Sequence, residues 1–268
     1  MPFDVHLIFL YYPFMSFTKN KGFTLIELLV VVAAVGILLS ILVPAITKGV
    51  KLAQRAQASA GMRSIAMAWQ QYAYDNDGRI MSSDNGPRRG QDPWVTVPQG
   101  TTRQDREDAI EAGAIFPYVQ NFDIFTDPNH VFPTYVNSYG MNGALNSSWG
   151  QPSLPRARFR TRAEHPEGRA ASHIGQANPG TVLLFAEYDA RNYNNGSYVM
   201  HPLVCNWVDR VAGNYWGGDN LAFVDGHVEF RHWEDPDTLR SLASHGLSDP
   251  GSLDCKYLES VFYPLAAP

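Results

Sequence analysis

Three groups of side chains carry chemistry beyond filling space. The first is a lone carboxylate: Glu27 is the only charged residue between positions 23 and 47, in the run FTLIELLVVVAAVGILLSILVPAIT. A bilayer does not solvate a carboxylate, so an acid there marks function and calls for an opposite charge. The second group is Asp189, Asp209, Asp219 and Asp225. Any two of them brought together by the fold would form a carboxylate pair able to do acid–base work. The third is the arginine row of RARFRTR, with Arg156, Arg158, Arg160 and Arg162 at alternate positions. On a strand these share one face. They would hold DNA phosphates or acidic sugars there, or simply keep an edge strand soluble.

The remaining candidates are weaker. His227 and His232 stand five apart on an expected strand, so they point to opposite faces and do not chelate one ion together. The chain has no G-x-S-x-G elbow, phosphate loop, H-E-x-x-H or dinucleotide fingerprint. Asp75, Asn76, Asp77 and Gly78 read as a turn. A calcium loop of the EF-hand kind needs a longer ligand run closed by a bidentate glutamate. No catalytic residue, metal or cofactor is expected. Cys205 and Cys255 are the only cysteines. Outside the cytoplasm they would pair and close a long C-terminal loop, worth roughly 3–4 kcal/mol in the chain-entropy account. Two buried thiols remain the alternative.

The elements that must position these groups begin with a helix. Residues 25–43 hold 19 residues with Glu27 the single charge, close to the ~20 that cross a bilayer. Residues 48–74 are rich in good helix formers, with Met62, Ile65, Trp69 and Tyr72 at helical spacing, one face for a sheet. One helix over 23–74 would run about 78 Å at ~1.5 Å per residue. With 268 residues, 45% of them hydrophobic and 12% aromatic, the chain suits a membrane segment plus a folded domain of roughly 200 residues. Net charge is −5, and past Thr47 there are 19 Lys and Arg against 24 Asp and Glu. That balance argues against a nucleic-acid coat or a basic membrane-surface protein.

Further on, residues 82–110 are polar, with scattered Gly and Pro, a surface excursion with a short helix over 105–111. TVLLFAE at 181–187 reads as a buried strand. NLAFVDGHVEF reads as a hairpin with Asp225-Gly226 as a two-residue turn. That turn sets Val224 opposite His227, Phe223 opposite Val228, Ala222 opposite Glu229 and Leu221 opposite Phe230. Leu221, Phe223, Val228 and Phe230 then share one face.

Lys21-Gly22-Phe23-Thr24-Leu25-Ile26-Glu27, followed by the apolar run, resembles the N-terminal signature of type IV pilins and type II secretion pseudopilins. The resemblance implies cutting between Gly22 and Phe23 by a prepilin peptidase, which also methylates the new amine of Phe23. It implies that Glu27 pairs with the N-terminal amine of a neighbouring subunit during assembly. Gly36 and Pro44 fall where pilin helices commonly carry glycine and proline, a stretch expected to lose helicity on assembly. The implied place is the bacterial inner membrane, single-pass, with the N-terminus cytoplasmic and the domain periplasmic or extracellular. The implied partners are the peptidase and like pilin or pseudopilin subunits, in a filament; DNA or a glycan is the rival ligand of a tethered domain. The stretch before Phe23 is longer than family leaders, and a start at Met15 would leave the short basic leader MSFTKNKG.

YDNDG, FTDPNH, SYGMNG and FVDGHVEF are together similar to the prepilin-type proteins named for an H-X9-DG motif. This chain departs from the pattern in two places. Tyr215 stands ten residues before Asp225 where the motif has histidine, and Thr126 stands where a cysteine is common. The expected fold is α+β and pilin-like, one long N-terminal helix packed on an antiparallel sheet with long loops. The expected division is a leader over 1–22, an assembly helix over 23–47, its continuation over 48–76 and an extracytoplasmic domain over 77–268.

Overall fold

The computed structural model describes residues 22–83, 92–130, 132, 134–143, 145, 178–189, 196–201, 206, 207, 209–236, 238 and 252–262. The chain divides into two units, Met1–Lys48 and Gly49–Pro268. Helix α1 (Leu25–Asp75) contributes its first half to one and its second half to the other.

In the first unit, the helical residues are exposed all round, including Leu29, Val32, Leu38 and Leu42. Pro44 lies inside the helix. It has no N–H to give the carbonyl of Ser40, four residues back. Thr47 Oγ1 donates to the carbonyl of Val43 at 2.9 Å and Ser40 Oγ to that of Ile37 at 2.7 Å. The helix is unbroken across Gly36 and Pro44 in the single chain.

The second unit is built on the stripe read from the sequence. Met62, Ile65, Trp69 and Tyr72 are all buried, each side chain contributing roughly 1.5–3 kcal/mol on burial. Gly61 sits among them because a Cβ there would lie 2.8 Å from the carbonyl oxygen of Ile124. The helix stops at Asp77 (φ 54) and Gly78 (φ 78), in the turn formers expected to end it.

Two short helices follow, α2 (Arg103–Glu111) and α3 (Phe116–Val119). α2 opens with a capping box. Asp105 N–H donates to Thr102 Oγ1, and the Asp105 carboxylate accepts from Thr102 N–H. A 3-10 turn (Asp123–Phe125) then leads toward the sheet.

The sheet contains β1 (Tyr139–Asn142), β2 (Leu183–Glu187), β3 (Ser197–Tyr198), β6 (Gly218–Phe223) and β7 (Val228–His232), in the order β3-β1-β2-β6-β7. β4 (Met200–His201) and β5 (Asn206–Trp207) form a separate antiparallel pair. β2 is buried along its whole length. Cluster members on one side include Met62, Trp69, Trp94 and Phe185. Those on the other include Leu183, Leu221, Phe223 and, from α4 (Leu253–Phe262), Leu258 and Phe262. A strand covered on both faces reads as a continuous apolar run, which is why LLFA lacks alternation.

Two expectations need correction. The sheet is mixed rather than purely antiparallel, because β3 joins the outer side of β1 in parallel, Met141 opposite Ser197. The β6–β7 hairpin is also one residue out of the expected register. Ala222 faces Val228, Leu221 faces Glu229 and Asn220 faces Phe230. The loop holds three residues, not two: Phe223 N–H donates to the His227 carbonyl, and Gly226, at φ 88, takes the left-handed position. A one-residue slip exchanges faces. Leu221 and Phe223 therefore pack toward α4, whereas Val228 joins the α1 side and Phe230 lies under the Arg55 guanidinium at 4.5 Å.

Candidate functional site

The N-terminal motif is exposed. Gly22 has open space around it and Phe23 is 78% exposed. Thr24 stands just before the first helical turn and Glu27 within it. The Glu27 carboxylate accepts from the Thr24 N–H and Oγ1–H, both at 2.8 Å, while Glu27 N–H donates to Thr24 Oγ1 at 3.2 Å. This is a reciprocal cap, and a carboxylate in the first turn also sits favourably in the helix dipole. In the single chain the charge of Glu27 is thus met locally.

The candidate aspartates separate. Asp225 is at the surface, where its carboxylate receives the His227 Nδ1 at 2.6 Å. The His227 ring in turn stacks on Phe223. Asp209 is buried and accepts from Val199 N–H at 2.7 Å. Burial pushes its carboxyl up to about 7 against that hydrogen bond. Asp189 is buried near the same loop, its N–H donating to the Arg210 carbonyl.

Asp219 joins two acids that sequence reading missed, Asp127 and Glu187. Each of the three is at most 1% exposed. The Asp127 carboxylate accepts from Tyr215 O–H at 2.5 Å, Asn129 N–H at 2.7 Å and Asn214 Nδ2 at 2.8 Å. The Asp219 carboxylate accepts from Trp233 Nε1 at 2.7 Å and Asn214 N–H at 3.2 Å. Glu187 accepts from Asn220, through its N–H at 2.9 Å and Nδ2 at 2.7 Å. Burial raises Glu187 well above the usual carboxylate range, with the charges of Asp219 and Asp127 adding to it. Burial pushes Asp219 up to about 6, against hydrogen bonds from Gly213, Trp233 and Asn214. The signals for the missed acids were present: Asp127 lies in FTDPNH, and Glu187 closes an otherwise apolar strand.

A hydrolytic pair needs an open face for substrate and water. These acids are closed over, and their oxygens receive hydrogen bonds from loop and strand. In this state those hydrogen bonds fix the loops at Asn129 and Asn214. Among the described residues, no group of three or more His, Cys, Asp or Glu side chains is arranged to hold a metal ion. The Tyr215 hydroxyl donates to Asp127 of FTDPNH, so these two segments meet there.

Arg156, Arg158, Arg160 and Arg162 lie outside the described residues, as do Cys205 and residues 1–21. Cys255 is buried on α4 and disulfide-bonded.

The profile of the prokaryotic N-terminal methylation motif matches residues 17–43. No curated protein and no solved structure matches the chain. The motif spans Gly22, Phe23 and Glu27 and most of the apolar half of α1. That helix is long and apolar enough to cross a membrane once. Together these support a prepilin-processed, membrane-anchored, single-pass protein.

Proposed function

We propose that the chain is a pilin-like or pseudopilin subunit of a type IV pilus or a type II secretion pseudopilus-like filament. It enters the bacterial inner membrane with its N-terminus cytoplasmic and its domain periplasmic or extracellular. A prepilin peptidase cuts between Gly22 and Phe23 and methylates Phe23. The observation that carries this reading is the methylation motif running straight into an apolar helix with one carboxylate at its start. Before assembly, Thr24 satisfies Glu27; during assembly, Glu27 exchanges that cap for the Phe23 amine of a neighbouring subunit. The role is assembly, not catalysis, and Cys205 bonds to Cys255.

The test is Glu27→Leu in the native host. The variant should be inserted and cut but absent from sheared or cross-linked filament fractions. A Glu27→Leu chain that enters filaments like wild type overturns the assembly role. A tethered DNA- or glycan-binding domain would keep its ligand binding in that variant.

A further inference from the structure

The turn over residues 215–218 carries a tryptophan in a backbone conformation that tryptophan rarely adopts. Trp216 has φ 55 and Gly217 has φ 78, between paired hydrogen bonds that link Tyr215 and Gly218 at 3.1 Å in both directions. Two positive φ values in succession define a type I′ turn, which favours Asn and Gly. Backbone strain of this kind persists only where the surroundings over-determine it, and it gathers at functional sites. Here four hydrogen bonds hold the turn. Asp219 accepts from Asn214 N–H, Asp127 accepts from Asn214 Nδ2 and from the Tyr215 hydroxyl, and Trp233 N–H donates to the Gly217 carbonyl. Trp216 is left 44% exposed beside Tyr215, which is fully buried.

Contacts with α1 set the place of this turn in the domain. At the tip of the β6–β7 hairpin, Gln70 Nε2 donates to the Val224 carbonyl at 2.6 Å. Further along, the Arg55 guanidinium lies 4.5 Å from the Phe230 ring. The hairpin thus runs back along α1 toward Gly49, and its last pair, Gly218 opposite His232, lies beyond Phe230 in that direction. Gly218 closes the Trp216 turn. A second chain of contacts agrees. Gln54 Nε2 reaches the Pro128 carbonyl at 3.5 Å, and the next residue, Asn129, donates from Nδ2 to the Asn214 carbonyl at 3.0 Å. The turn therefore stands at the end of the domain where its share of α1 begins, at Gly49. Tyr74, 84% exposed, marks the far end of that helix.

Gly49 is six positions past Val43, the end of the apolar run. Six residues reach about 20 Å at most, even fully extended. A bilayer crossed by the run is thus within short reach of this end of the domain. Lys48 and Lys51 flank Gly49. An indole has an apolar body and one N–H, which suits it to the boundary between lipid tails and water, and Trp and Lys anchor proteins at that level. We propose that the Trp216 turn is a lipid-interface anchor: the indole seats among the phospholipid headgroups of the membrane that α1 crosses, and holds this end of the domain against it. The proposal rests on the single-pass membrane anchor and not on assembly into a filament.

The test is photolabelling of the protein purified from its native membranes and placed in vesicles of phosphatidylethanolamine and phosphatidylglycerol. The vesicles carry a trace of phospholipid with a diazirine beside its headgroup, and mass spectrometry maps the adducts. Residues 213–218 should be labelled roughly fivefold or more above residues 71–79, whose Tyr74 is more exposed but lies at the far end of α1. Trp216→Ser should bring the two segments to one level while residues 25–43 stay labelled. Wild-type protein labelled over 25–43 with no excess at 213–218 overturns the anchor, and that readout needs no variant to fold. A folded Trp216→Ser chain that keeps the excess overturns the role of the ring. Vesicles that label none of these segments overturn the membrane span itself, and this proposal with it.

Discussion

The hydroxyl of Tyr215 donates to the carboxylate of Asp127 at 2.5 Å, joining positions 88 residues apart in the chain. This bond ties the loop after the 3-10 turn (Asp123–Phe125) to the loop before β6. Tyr215→Phe removes the donor and leaves a buried carboxylate short of one partner. A cost of about 1–3 kcal/mol is expected, seen as a lower thermal midpoint by roughly 2–4 °C per kcal/mol. An unchanged midpoint would show that the bond contributes nothing net.

Trp216 makes the opposite prediction. Trp216→Asn places a residue suited to positive φ in the same turn. The variant should be more stable than wild type, by about 0.5–1 kcal/mol after loss of tryptophan contacts. Denaturant unfolding checks this, and a destabilised variant would mean that the exposed ring packs more than its surroundings suggest.

Gly61 tests the packing of α1 in the domain. A side chain there meets the Ile124 carbonyl, which is backbone and cannot turn aside. Gly61→Leu should cost roughly 1–3 kcal/mol or more. Chemical denaturation against Gly49→Leu, where the glycine has open space around it, separates packing from helix propensity.

Stability should fall with rising pH. Asp209 and Asp219 hold their protons in the folded chain up to about 7 and about 6. Unfolded aspartate releases its proton near ~3.9. Between these values the folded chain binds more protons, so unfolding free energy declines as pH rises. The full penalty, on the order of a few kcal/mol, is reached above about 7. Asp225, lowered by its hydrogen bonds to His227, acts in the other sense, but only below the ordinary aspartate range. A melting midpoint at pH 5.5 above that at pH 8 is expected, with Asp209→Asn reducing the difference. Equal midpoints would mean that these carboxyls are already solvated in the folded chain.

The long helix was legible because its signals are local. Met62, Ile65, Trp69 and Tyr72 repeat at helical spacing, and Asp77 and Gly78 stop the chain where turn formers cluster. LLFA announced a buried strand by its unbroken apolarity. The hairpin register was not legible. Asp225-Gly226 suits both a two-residue turn and the second half of a three-residue one, and the difference exchanges every side chain between faces. The parallel pairing of β1 and β3 depends on tertiary contacts, not on residue type. The buried acids failed for a related reason. Asp219 was a candidate, but its neighbours Asp127 and Glu187 come from 92 and 32 positions away, and only folding brings them together. At the N-terminus, by contrast, Gly22, Phe23 and Glu27 lie close together in sequence, so the motif could be read along the chain.

The central claim is processing at Gly22, and intact mass with N-terminal sequencing of protein taken from native membranes tests it most directly. The account predicts a chain that begins at methylated Phe23. A chain that retains Gly22 and the residues before it would leave Glu27 without its amine and contradict the account.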